Sequence, residues 1–330
     1  MSEKVLVTGS TGFIGARLLR LLDAEGDRVR VLLRPESGSG NTEGGIEAVR
    51  ASYDDPEALA AAVSGVDRIV HLAGVTKAVD SAGFEAGNVR PVQNLLMALK
   101  ASNPSLKRLL LVSSLAAAGP ASEGLRGVSE SDEPKPVSAY GRSKLQAERL
   151  VLERSAPIPF TIVRPPAVYG PGDRDVLQVF QMLGKGMLLS AGNAAKQRFS
   201  MIYVDDLVRG IMAAARSREA AGRTYYLTSH QSWSWEEVIE AARPAIGFGN
   251  LMRITLPAPF VHLLGTVAGA VGSVTGKPTL INRDKARELV QNYWVCDPGR
   301  AESELGFTAG TTLSEGIGMT IDWYRSRGWM

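Results

Sequence analysis

Cysteine is almost missing from this chain. Cys296 is the single one among 330 residues, which excludes an intrachain disulfide and points to a reducing compartment, here expected to be the cytoplasm. Histidine is scarce too: His71, His230 and His262 stand far apart in the sequence, so no metal-ligand pattern exists and no metal is expected. Neither charge dominates. With 37 Lys and Arg against 34 Asp and Glu, and the basic residues scattered, there is no stripe for a nucleic acid. The first strand begins within a few residues of Met1, so no leader peptide is expected.

What the chain does have is the run VLVTGSTGFIG from Val5 to Gly15. It reads as a buried strand, a tight glycine turn and the start of a helix. Gly9 permits the turn, Gly12 lets the backbone approach a pyrophosphate, and Gly15 lets the helix pack on the strand, while free N–H groups at the helix start face the anion. The spacing is G-x-x-G-x-x-G rather than the usual G-x-G-x-x-G.

Alternating apolar segments and helical periods continue from there. A helix is predicted from Phe13 to Glu25, with Ile14, Leu18, Leu21 and Leu22 on one face, then a strand from Val29 to Leu33. In a doubly wound sheet the end of that second strand lies beside the adenosine ribose, where an acid binds a free 2′-hydroxyl and an arginine accommodates a 2′-phosphate. Here it is Arg34, with Arg17 as a helper, so NADP(H) is favoured over NAD(H). Further strands are predicted at 46–51, 68–71, 109–112, 160–164, 201–206 and 224–228, with helices at 56 onward, 88–101 and 138–154. His71, set in an apolar strand, reads as a packed core residue rather than a catalytic base. Asp205 and Asp206 read as caps of the helix that follows them, and Ser234 with Glu237 as a capping box.

The T-G-x-x-G-F-I-G turn, followed by Tyr140-x-x-x-Lys144 and by the segment from Arg164 to Gly172 (RPPAVYGPG), resembles the extended branch of the short-chain dehydrogenase/reductase superfamily. That branch includes NAD(P)-dependent epimerases and dehydratases and 3β-hydroxysteroid dehydrogenase-like enzymes. The likeness covers essentially the whole chain. It implies an α/β fold: a Rossmann-type doubly wound parallel sheet with a smaller, mostly helical C-terminal substrate domain. Residues 1–170, with a return segment at about 201–230, would form the first domain, and 171–200 with 231–330 the second.

The resemblance also implies roles. The cofactor would lie along Gly9, Thr11, Gly12, Phe13, Ile14 and Gly15, with Ser52 or the Tyr53 backbone at the adenine, where relatives carry Gly-Asp. Leu72, Ala73 and Gly74 would back the second ribose, beside Asn88 and Val112. Pro165 and Val168 would face the nicotinamide. Ser114, Tyr140 and Lys144 would form the catalytic set. A phenol titrating near ~10 is a poor base, but an ammonium one helical turn away and a cationic nicotinamide both favour phenolate, each pKa unit being worth roughly 1.4 kcal/mol. Tyr140 would then exchange a proton with a substrate oxygen that Ser114 holds.

The expected activity is NADP(H)-dependent interconversion of a secondary alcohol and a ketone. The alternative is a nucleotide-sugar epimerase that recycles tightly held NAD. Dehydration is disfavoured, because Leu115-Ala116 follows Ser114 where dehydratases have Asp-Glu. The partners expected are a small-molecule substrate and a second copy, through the helices at 88–101 and 138–154. Residues 254–276 contain no Asp, Glu, Lys or Arg. Pro257, Pro259 and the glycines make a poor membrane span, leaving either a packed pair of short helices over the substrate pocket or a membrane-surface segment.

Overall fold

The computed structural model describes residues 2–38, 45–122, 126–276, 279 and 282–330. The first half alternates strand and helix. β1 (Lys4–Thr8) leads into α1 (Phe13–Ala24), β2 (Arg28–Leu33), β3 (Glu47–Arg50), α2 (Pro56–Val63) and β4 (Arg68–His71). There follow α3 (Ser81–Phe84), a π-helical turn (Glu85–Val89), α4 (Arg90–Ser102), β5 (Arg108–Val112), α5 (Leu115–Ala118), α6 (Ala139–Arg154) and β6 (Phe160–Val163). The chain then leaves through β7 (Ala167–Tyr169), α7 (Asp175–Gly184) and β8 (Met187–Ala191), and returns by β9 (Arg198–Tyr203), α8 (Val204–Arg216) and β10 (Arg223–Tyr225). It closes with β11 (Ser232–Trp233), α9 (Trp235–Ile246), β12 (Met252–Leu256), α10 (Ala258–Thr275), α11 (Arg283–Leu289), β13 (Tyr293–Trp294), α12 (Gly299–Leu305) and α13 (Leu313–Ser326).

Seven strands form one parallel sheet in the order β10-β6-β5-β4-β1-β2-β3. Both of its faces are covered, and the two-residue period of each strand feeds both cores. Val5 and Val7 pack with α1 and α8, whereas Leu6 points the other way into the layer of α2, α4 and α6. The same division splits β5: Leu110 and Val112 face one side, Leu109 and Leu111 the other. Strand order reverses between β1 and β4, the switch point at which open α/β sheets take their ligands.

The remaining elements build a second, mostly helical body. Phe180 and Leu183 of α7, Ile239 of α9 and Ile317, Ile321 and Tyr324 of α13 share its core. Its sheets are small: β9 pairs with β7, β11 and β13, and β12 with β8.

Three local expectations change. Asp205 and Asp206 do not cap α8, whose first residue follows Tyr203 with no side-chain cap. Asp206 is instead fully buried, taking Arg209 and the Thr311 N–H at 2.9 Å, so it ties α8 to the chain before α13. Ser232 and Trp233 form a strand, although Ser234 and Glu237 do make the capping box of α9. Finally, 254–276 is not a pair of short helices: a strand end is followed by one continuous 18-residue helix, α10, lying largely exposed.

Candidate active site

The glycine turn is shaped by close backbone approaches. Gly9 adopts φ +71°, and a Cβ there would sit 2.7 Å from the Ala73 nitrogen, so the turn after β1 lies flat on the exit from β4. At Gly15 a Cβ would come within 2.2 Å of the Gly9 oxygen, and only glycine lets α1 begin so near the turn. Gly12 precedes α1 without a side-chain cap, and the first turn carries no acid. The orphan N–H groups and the positive helix end are therefore open to an anion. Thr11 and Gly12 are exposed and Phe13 half-buried, beside a 550 Å³ cleft whose far wall is Arg174 stacked on Trp329. Ile14 turns from this cleft into the core. The cradle fits a dinucleotide diphosphate.

At the adenosine end, Arg34 follows β2 with its side chain 64% exposed and, among the described residues, Glu36 at 3.4 Å as its ionic partner. Arg17 does not assist it, since its guanidinium faces Asp205 at 3.7 Å. Arg50 does stand there, wrapping the same loop through the Ser37 carbonyl at 2.8 Å. Ser52 spends its hydroxyl on the Asp54 N–H at 3.1 Å, and the Tyr53 carbonyl accepts from Asn94 at 2.9 Å. The Tyr53 ring lies edge-on to His71. Burial pushes its phenol up to about 12 against the Thr8 hydroxyl and the Arg34 charge.

At the opposite end, Leu72, Ala73 and Gly74 leave β4 under tight control. Thr8 Oγ1 is hydrogen-bonded to His71 Nδ1 at 2.9 Å and accepts the Ala73 N–H at 3.2 Å. His71 is buried, and that burial, with the Lys144 charge nearby, holds it down to about 3; it is a neutral packed residue. Asn88, on the π-helical turn rather than at a helix start, clamps Val75 through both its N–H, at 2.8 Å, and its carbonyl, at 3.1 Å. Its amide also donates to Ser143 at 2.9 Å, binding the 74–75 bend to α6.

Ser114 ends the β5 exit and caps α5 by accepting the Ala116 N–H at 3.1 Å. Its hydroxyl also lies close enough to the Tyr140 phenol to favour the phenolate. Gly141 makes that meeting possible, because a Cβ there would lie 2.2 Å from the Ala116 oxygen; α6 can approach α5 only without one. Lys144, one turn on, is buried and donates to the Val112 carbonyl at 2.8 Å. Burial lowers its ammonium to about 8, although Glu148 pulls the other way.

The phenol does not follow the expectation from sequence. Burial raises Tyr140 to about 12, opposed by the nearby Ser114 hydroxyl and reinforced by the Glu288 carboxylate. The Lys144 ammonium is spent on Val112 instead of the phenol. Without cofactor, Tyr140 is therefore an acid holding its proton at neutral pH. Pro165 is buried, and its carbonyl accepts the Leu115 N–H at 2.8 Å, which brings it against the start of α5. Val168 lies on β7 opposite Ile202 and packs on the core.

Two groups at this site were not singled out from sequence. Glu148 receives both arms of Arg164, at 3.0 and 2.6 Å, and also binds Ser113. Its signal was available, since 140, 144 and 148 follow one another at helical spacing. Glu288 had no such signal: α11 reaches α6 only through tertiary structure, where Asp284 pairs with Arg142 at 3.8 Å.

Fold, cradle and hydroxyl cluster together define an NAD(P)-dependent enzyme of the extended short-chain dehydrogenase/reductase type. The family model described as "NAD dependent epimerase/dehydratase family" matches residues 5–227, and the chain belongs to that family. A ceramide reductase of Caulobacter vibrioides is 31% identical over 329 residues, covering 99% of this chain and 96% of the relative. The N-acetyl-alpha-D-glucosaminyl-diphospho-ditrans,octacis-undecaprenol 4-epimerase of Escherichia coli O157:H7 is 26% identical over 332 residues, covering 98% and 96%. Among solved structures, MoeE5 in complex with UDP-glucose and NAD superposes with a TM-score of 0.79 at 25% identity, over 99% of this chain and 100% of that one.

Proposed function

We propose that the protein is an NADP(H)-dependent reductase of a ketone carried by an apolar, lipid-like substrate. The observation that carries this reading is the placing of the half-buried Tyr140 phenol beside the Ser114 hydroxyl, where one group can hold a carbonyl oxygen and the other protonate it. A protonated phenol is the form that ketone reduction consumes, whereas alcohol oxidation needs a base in its place. Bound in the cradle, a nicotinamide dinucleotide supplies the hydride. Ser114 holds the carbonyl oxygen, and Tyr140 gives it the proton. Lys144, anchored on Val112, would hold the ribose hydroxyls. Gly9, Gly12 and Gly15 leave room for the diphosphate, and exposed Arg34 would take the 2′-phosphate, with Arg50 beside it.

The lipid-like substrate is supported by the relatives' names, one a ceramide and the other an undecaprenol diphosphate. A homodimer through α4 and α6 is part of the proposal, supported by Met97 and Leu152, which those helices leave exposed. The second reading, epimerisation with resident NAD, is favoured by MoeE5, which takes UDP-glucose and NAD on this fold.

Tyr140→Phe tests the assignment. NADPH binding should persist while ketone reduction falls by about 10²- to 10⁴-fold. Turnover at the wild-type rate would remove Tyr140 from the chemistry. NAD carried through gel filtration, with activity on sugar nucleotides alone, would establish the epimerase instead.

A further inference from the structure

We propose that α10 seats the protein on the surface of an anionic lipid bilayer, with Leu263, Val267, Val271 and Val274 entering the lipid. The helix has a defined inner and outer side. Val261, Gly265 and Gly272 are buried, and at Gly265 a Cβ would lie 2.7 Å from the Ala286 Cβ and 2.8 Å from the Asn282 oxygen. These glycines draw α10 down along α11. The outer side repeats at helical spacing and stands open: Leu263 is 58%, Val267 56% and Val274 88% exposed. On the strand leading into the helix, Met252 and Ile254 are exposed opposite Met187 and Leu189 of β8, which are exposed as well. Contiguous apolar surface of this kind marks a binding face.

Two observations select lipid as the occupant. First, the helix does not need water for its hydroxyls. Its three hydroxyls, on Thr266, Ser273 and Thr275, each donate to a carbonyl four residues back, at 2.8, 3.1 and 2.9 Å. Second, the sequence around the helix carries a net positive charge, although Arg253 pairs with Glu236, Lys285 with Glu288 and Arg287 with Asp284. Residues 252–292 hold five basic side chains (Arg253, Lys277, Arg283, Lys285, Arg287) against two acidic ones (Asp284, Glu288). That difference equals the whole chain's formal charge of +3, so the other residues balance. A net positive stretch of chain on either side of a helix without Asp, Glu, Lys or Arg suits anionic headgroups, whereas a second copy would bring the same charge to the same face.

The helix lies in the interface and does not cross it. At about 1.5 Å per residue it is shorter than the roughly 30 Å hydrocarbon layer. One side is committed to α11 and its first turn follows a strand paired with β8. Because Asp284 and Glu288 of α11 border Arg142 and Tyr140, the seated face lies next to the catalytic end. The benefit to a lipid-like substrate rests on the reductase reading, but membrane binding does not.

Flotation of the full chain with vesicles tests the proposal without substrate or turnover. The wild type should float with phosphatidylcholine–phosphatidylglycerol vesicles and much less with phosphatidylcholine alone. V267E/V271E should lose at least about tenfold of the floated fraction while keeping its melting midpoint and NADPH binding. T266A, altered beside the stripe, should float like the wild type. A wild type that stays in solution with both vesicles would overturn the proposal. So would a double variant that floats equally well, or one that instead dissociates a wild-type oligomer in light scattering.

Discussion

Glu148 of α6 and Arg164 form a bidentate ion pair at 3.0 and 2.6 Å, with both side chains buried. The pair fixes α6 to the end of β6, and Ser113 and the Tyr226 hydroxyl complete its hydrogen bonding. Removing one partner leaves a guanidinium in a dry site, which costs far more than the pair itself contributes. Glu148→Gln is expected to destabilise the fold by about 3 kcal/mol in urea denaturation, and adding Arg164→Met should restore part of it. A single variant as stable as wild type would show that water reaches Arg164.

Gly141→Ala sets two effects against each other. In a helix interior alanine is better than glycine by about 1 kcal/mol. Here its methyl would meet a backbone carbonyl at 2.2 Å, and overpacking of this kind costs roughly 1–3 kcal/mol. The clash should win: lower stability and at least about tenfold slower turnover as Tyr140 moves from Ser114, with little change in cofactor Kd. Gly249→Ala, where nothing lies within 4 Å, serves as the control and should be near neutral. Equal effects at both positions would refute the packing explanation.

Lys144 gives stability a pH dependence of definite sign. Its ammonium titrates at about 8 in the folded protein against an ordinary 10.5. Below pH 8 the charge is held in spite of burial, and the penalty is fully present. Between 8 and 10.5 the unfolded chain keeps a proton that the folded chain has shed, so stability rises with pH, by about 3 kcal/mol in all. Tyr140, raised from 10.0 to about 12, acts in the opposite direction above pH 10. In the absence of cofactor, wild type should gain stability over Lys144→Met between pH 7 and 9.5, read by urea denaturation. Parallel profiles would remove this account of Lys144.

Arg34→Asp should weaken NADPH by at least about tenfold while leaving NADH binding nearly unchanged, because the lost contact is to the 2′-phosphate alone. Fluorescence titration of the two cofactors measures the ratio. Equal losses would move the phosphate site elsewhere.

The glycine turn and the strands around it were legible in the sequence because their causes are local: three glycines at fixed spacing, short apolar runs, and the apolar face of the helix that follows. That Ser114 stands at a strand exit and Tyr140 and Lys144 one turn apart at a helix start was legible for the same reason. The direction of Lys144 could not, since Val112 lies 32 residues away and becomes its partner only when β5 and α6 pack. Arg50 displaces Arg17 beside Arg34 because β3 pairs with β2. Two of the glycines of 254–276, read as breaks, prove to be points where one unbroken helix rests on the start of α11: Gly265 and Gly269.

The strand order carries a consequence for biosynthesis. The last strand of the seven-stranded sheet ends at Tyr225, so every strand of the nucleotide-binding half precedes the first residue of α10 in the chain. Translation proceeds at about 5–20 residues per second and domains fold as units as they emerge. The ribosome thus delivers a complete sheet several seconds before it releases the segment most prone to aggregate.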